Sequence, residues 1–156
     1  MDSYRSYLTL MGDIGSRLEQ LSELARKKTD AVRKDDLMAL NEIIKQEQAI
    51  ALALRGLEQK RMKLSSELNL DGIRLSQLSE KFPTELQLEA RTAADALHRQ
   101  YKVYEASAHV ARNTLECNLH EIEKIIEELG GDPNAEPGYQ LSDVQPPQSM
   151  KTDFRA

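Results

Sequence analysis

Three histidines, one cysteine and a scatter of carboxylates are the residues whose chemistry would matter if the fold brought them together. His98, His109 and His120 recur every eleven residues. That spacing keeps them near one side of a helix but roughly 16 Å apart at 1.5 Å per residue, too far to share a metal ion. Cys117 with His120, and Glu116 with His120, have helical offsets that suit two ligands of one ion, yet a site needs further ligands from another helix. Asp95 and His98 have the spacing of one half of a carboxylate-bridged dinuclear centre. The ferritin-like arrangement requires Glu-x-x-His on two helices and a Glu from each of two more, and the sequence lacks it. It also lacks a Gly-rich phosphate loop, a Gly-x-Ser-x-Gly elbow and a Cys-x-x-Cys pair. Gly12-Asp13-Ile14-Gly15 falls inside an apolar heptad with no phosphate-binding context. The expectation is a protein without catalytic residues, metal or cofactor.

What would position such residues is a set of helices with narrow apolar stripes. Of the 156 residues 40% are apolar and 4% aromatic, against 30% charged, a balance that argues against a thick two-layer core. A net charge of −5 disfavours nucleic acid or an anionic membrane surface as partner. Cys117 alone makes no intrachain disulfide, the N-terminus lacks the layout of a secretory signal, and no window is apolar enough to span a bilayer. A cytoplasmic address is expected.

Residues 1–129 contain one proline, Pro83, whereas Pro133, Pro137, Pro146 and Pro147 crowd the end of the chain. The chain therefore divides into a helical body over 1–131 and a tail over 132–156, read as mobile because it has few apolar groups to offset ordering entropy. Tyr4, Tyr7, Met11, Ile14, Leu18, Leu21 and Ala25 alternate by three and four, which predicts a first helix over about 3–33 with a coiled-coil seam. Gly12 and Gly15 each weaken it by about 1 kcal/mol relative to Ala. Asp35-Asp36 supplies an N-cap for a second, antiparallel helix over about 36–69. Its seam, Leu40 to Leu68, is interrupted by Glu47 and Arg61, which need partners on other helices or water.

A short helix is expected over 73–81, carrying Ile73, Leu75 and Leu78 and closed by Phe82-Pro83. Thr84 and Gln87 form a capping-box pattern that opens a third helix over about 84–129. At about 68 Å against roughly 50 Å for the first two, this helix must overhang the hairpin or bend. Its main seam runs from Ala90 to Leu129, broken at Asn118, with a second stripe of Ala96, Val103, Val110 and Cys117 beside it. The predicted fold is all-α: an elongated antiparallel three-helix coiled coil with a short connecting helix and a flexible C-terminal tail. Its wide third-helix face serves either as the third leg of the bundle or as a groove for a helix from another protein.

Several short elements resemble the flagellar export chaperone family called FlgN. Asp36-Leu37-Met38-Ala39-Leu40, then Lys45 and Glu47, then Leu57-Glu58-Gln59-Lys60-Arg61 are similar to that family's second helix, which opens on Asp-Leu-x-x-Leu and closes on Leu-Glu-x-x-Arg. Asn113-Thr114-Leu115 and Gly138-Tyr139 resemble its Asn before a leucine-rich last section and its Tyr-containing segment after the last helix. Leu141-Ser142-Asp143 departs from the family pattern, in which a glycine often follows the tyrosine. The resemblance implies a non-enzymatic chaperone that binds the C-terminal helices of hook-associated (hook-filament junction) proteins. It would keep them unassembled and bring them to the cytoplasmic domain of the export gate.

Helix periodicity offers Val103, Val110, Asn113, Leu115, Ile122 and Ile126 as the client-binding face, with the family likeness adding weight to Asn113 and Leu115. Tyr139, an aromatic anchor on the tail, is the expected gate contact. The competing readings are a generic coiled-coil adaptor or dimerisation protein and a metal-dependent helical-bundle enzyme.

Overall fold

The computed structural model describes residues 2–130 of the chain; the expected tail and its Tyr139 lie outside the described residues. Three α-helices, α1 (Asp2–Arg33), α2 (Leu37–Glu67) and α3 (Gln87–Glu128), are joined by a tight turn and by a connector containing two 3-10 segments, Leu75–Lys81 and Thr84–Leu86. The N-terminal end of α1 meets both the end of α2, through Tyr7 and Arg61, and the entry to α3, through Tyr7 and Phe82. The chain thus runs up, down and up, with α2 antiparallel to its two neighbours. α1 buries thirteen residues where α2 and α3 bury four each, so the first helix is the partner that the other two share.

The turns follow from local backbone chemistry. Asp35 takes a left-handed φ of 54°, and the amides of Asp35 and Asp36 donate to the carbonyls of Val32 (3.1 Å) and Ala31 (2.9 Å), the double bond of a Schellman stop. Asp36 then accepts from the Ala39 amide at 3.1 Å, so one residue closes α1 and caps α2. Asn69 repeats the device at φ 57°: the Leu70 amide reaches the Ser65 carbonyl at 2.8 Å and the Leu70 side chain is buried beneath it.

The short helix expected after α2 is present, in 3-10 geometry. Leu75–Lys81 winds as a 3-10 helix, the tighter form used for short connectors, and buries Leu78. Thr84 and Gln87 do not form the expected capping box. Neither the 3-10 turn at Thr84–Leu86 nor α3 has a side-chain cap. The reason is Pro83, whose extended backbone (φ −54°, ψ 144°) starts a 3-10 turn first, delaying the α-helix to Gln87. The Gln87 amide nitrogen turns back instead and donates to the Phe82 carbonyl at 3.1 Å.

Two apolar clusters hold the bundle. The larger joins Tyr7, Met11, Ile14, Leu18 and Leu21 of α1 to Leu54, to the connector's Leu70, Leu78, Phe82 and Leu86, and to Ala90, Ala94 and Leu97 of α3. Phe82 meets Tyr4 and Tyr7 edge-on, with centroids 5.0 and 6.0 Å away, an arrangement favoured by the ring quadrupoles. The smaller cluster, Leu24, Ala31, Val32, Leu40 and Ile43, lies toward the α1–α2 turn and takes only Leu115 from α3.

Both charged interruptions of the α2 seam find partners on α1. Lys28 Nζ stands 3.0 Å from a Glu47 carboxylate oxygen, and Arg61 Nη1 donates to the Tyr7 hydroxyl at 2.9 Å while Nε donates to Glu58 at 2.9 Å. Burial opposes the Arg61 charge, yet the bonds to Glu58 and the proximity of Tyr7 outweigh it and hold the guanidinium more firmly protonated than usual.

Candidate functional site

The register between α1 and α3 determines where a surface is left over. Gly15 is buried on α1, and a Cβ there would overlap the side-chain amide of Gln100, so the two parallel helices are level at Gly15 and Gln100. Since α1 ends at Arg33, α3 reaches that height near Asn118. It continues to Glu128, an overhang of roughly 15 Å. The overhang closes at Gly130 with φ +78°, its amide bonded to the Glu127 carbonyl at 3.0 Å.

The apolar seam does not stop where its partner does. Below Asn118 it is carried by Ala90, Ala94, Leu97 and Ala111, all buried. Above, Leu119, Ile122, Ile125, Ile126 and Leu129 are 37%, 46%, 54%, 37% and 82% exposed. Leu115 sits at the boundary, half-buried against the smaller cluster. Leu37 and Met38, exposed in the first turn of α2, stand at the same end of the bundle.

The six positions chosen from periodicity separate into three groups. Leu115, Ile122 and Ile126 share the seam. Val103 and Val110 are exposed at 45% and 47%, but at about 100° per residue they lie roughly 100–140° round the helix from Ile122 and Leu115. Asn113 is about 180° from Ile122, on the outer face, where its amide lies 3.2 Å from His109 Nε2. The six positions therefore spread over more than one stripe of α3. Leu119, which falls outside the strict heptad, joins the seam; the excess length of the third helix was its signal in the sequence.

Among the described residues, no three His, Cys, Asp or Glu side chains converge as a metal site would require. A cavity lined by Tyr7, Met11, Arg61, Leu78 and Leu97 among others is about 30 Å³, far below the volume of a ligand pocket. Tyr104 has its phenol pushed above the ordinary range, first by burial and then by the Glu47 carboxylate. Among the described residues no helix is long and apolar enough to cross a membrane.

What remains is a helical face that has no partner among the described residues, at one end of a three-helix bundle, a geometry suited to receiving another helix. No curated protein and no solved structure matches the chain. A family model described as FlgN protein matches residues 1–142, a span that takes in all three helices. The chain belongs to the FlgN family, the non-enzymatic flagellar export chaperones for hook-associated proteins.

Proposed function

We propose that this chain is a cytoplasmic chaperone that receives the C-terminal amphipathic segment of a hook-associated protein on the distal seam of α3. It keeps that client unassembled and brings it to the flagellar type III export gate. The observation that supports this docking site is the continuation of the α3 seam beyond the end of α1, through Leu119, Ile122, Ile125 and Ile126. A segment disordered on its own folds as its apolar face meets the seam. Ordering the client consumes part of the contact energy, so release requires no nucleotide chemistry in this chain.

Leu115, Ile122 and Ile126 form the client face in this reading, while Val103 and Val110 form a separate flank. Calorimetric titration with the C-terminal segments of the hook-associated proteins tests it. Micromolar or tighter one-to-one binding, with a negative heat-capacity change and a gain of client helicity, is expected; no binding to any of these segments would overturn the reading. Tyr139 is the proposed gate contact. Tyr139→Ala is expected to leave client affinity unchanged and to weaken binding to the gate's cytoplasmic domain, and unchanged gate binding would remove that role.

A further inference from the structure

The charge along α3 changes where its partner ends. From Gln87 to Asn118, beside α1, four carboxylates are matched by four lysines and arginines. From Leu119 to Leu129, Glu121, Glu123, Glu127 and Glu128 face only Lys124, a net charge of −3. Helical geometry places these charges around the seam. Glu123 lies about 60° to one side of Ile126, Glu121 and Glu128 about 40–60° to the other side of Ile125, and Lys124 on the back of the helix. The exposed apolar seam is therefore bordered by carboxylates on both edges.

We infer that the segment received here is an amphipathic helix whose apolar stripe is flanked by lysines or arginines. This deepens, and rests on, the reading of the distal seam as the client face. Flanking charges of this kind select partner and orientation in paired helices, and complementary edges speed encounter while like charges reject wrong partners. Two other occupants fit poorly. Residues 131–156 carry four carboxylates and two cations, so the chain's own C-terminal segment does not supply basic flanks. A second copy using the same face would set −3 against −3.

The test titrates the C-terminal segments of the hook-associated proteins into the full chain at low and high salt. It is repeated with a Glu121→Gln/Glu123→Gln/Glu127→Gln/Glu128→Gln variant and with Ile122→Asp/Ile126→Asp, circular dichroism confirming that each stays helical. Binding about tenfold weaker at high salt, with that dependence lost in the quadruple variant, is the expected result. Binding that Ile122→Asp/Ile126→Asp abolishes but that ignores salt and the glutamates would overturn the charge assignment and leave the docking face standing. Binding that survives Ile122→Asp/Ile126→Asp would overturn the docking face itself, and the inference with it. Self-association that the same isoleucine pair abolishes would assign the seam to a second copy and likewise overturn the inference.

Discussion

Ala90, Ala94 and Leu97 near the start of α3 are buried, whereas Ile122, Ile125 and Leu129 at its end are 46%, 54% and 82% exposed, although both sets recur at three-four spacing. The difference is one of neighbours. The first set faces α1 and the connector; the second extends past Arg33, where α1 has ended. The same sequence pattern thus builds a core at one end and leaves an open face at the other. In a small helical body, burial supplies stability only where a partner helix exists.

The contrast predicts a clean division between stability and binding. Leu97→Ala, in the larger cluster, is expected to cost about 2–5 kcal/mol in urea or thermal unfolding. Ile122→Ala and Ile126→Ala should each change stability by less than about 0.5 kcal/mol while lowering client affinity. A large loss of stability from either isoleucine would mean that the overhang is covered by the chain itself.

Arg61 sharpens the same contrast from the packed end. Replacing it with Met removes the guanidinium that donates to Glu58 and to the buried Tyr7 hydroxyl. A loss of about 1–3 kcal/mol follows, with client affinity unchanged once the protein is folded. Weaker binding in the folded variant would place Arg61 on the client face instead.

The two glycines of α1 make a smaller comparison. Gly12 has open space around its missing Cβ, so Gly12→Ala should stabilise the helix by about 0.5–1 kcal/mol. Gly15→Ala must displace the Gln100 amide and should yield less of that gain or none. Equal stabilisation at both positions would mean that Gln100 moves aside without cost.

Alkaline titration probes the middle of the bundle. The Tyr104 phenol is raised in the folded state, chiefly by burial. Its contribution is therefore complete below the unfolded value of about 10 and is lost as pH rises through the higher folded value. Urea unfolding should show stability falling above about pH 10, less so in Tyr104→Phe.

Much of this architecture was legible in the sequence. Three-four spacing marked each seam, and the positions of the breakers separated the helices. The excess length of the third helix posed the choice between overhang and bend, which the register at Gly15 and Gln100 resolves as overhang. The partners of Glu47 and Arg61 were not legible, because pairing across helices depends on relative height and rotation. The capping box failed for a local reason, Pro83 starting a 3-10 turn ahead of α3. The exposed apolar positions of α3 were legible as candidates, its seam and its side stripe alike. Periodicity already set the seam apart from the side stripe; it could not give the height at which α1 ends, and the exposure of Ile122 and Ile126 depends on that height.

The most direct test of the account compares two exposed apolar pairs on one helix. Calorimetry with a hook-associated C-terminal segment would be run on Ile122→Asp/Ile126→Asp and on Val103→Asp/Val110→Asp, each shown to be folded. The first pair is expected to lose at least about tenfold in affinity, some 1.4 kcal/mol, and the second to bind like the unaltered chain. Retained binding in the first pair with loss in the second would contradict the account and move the client to the flank of α3.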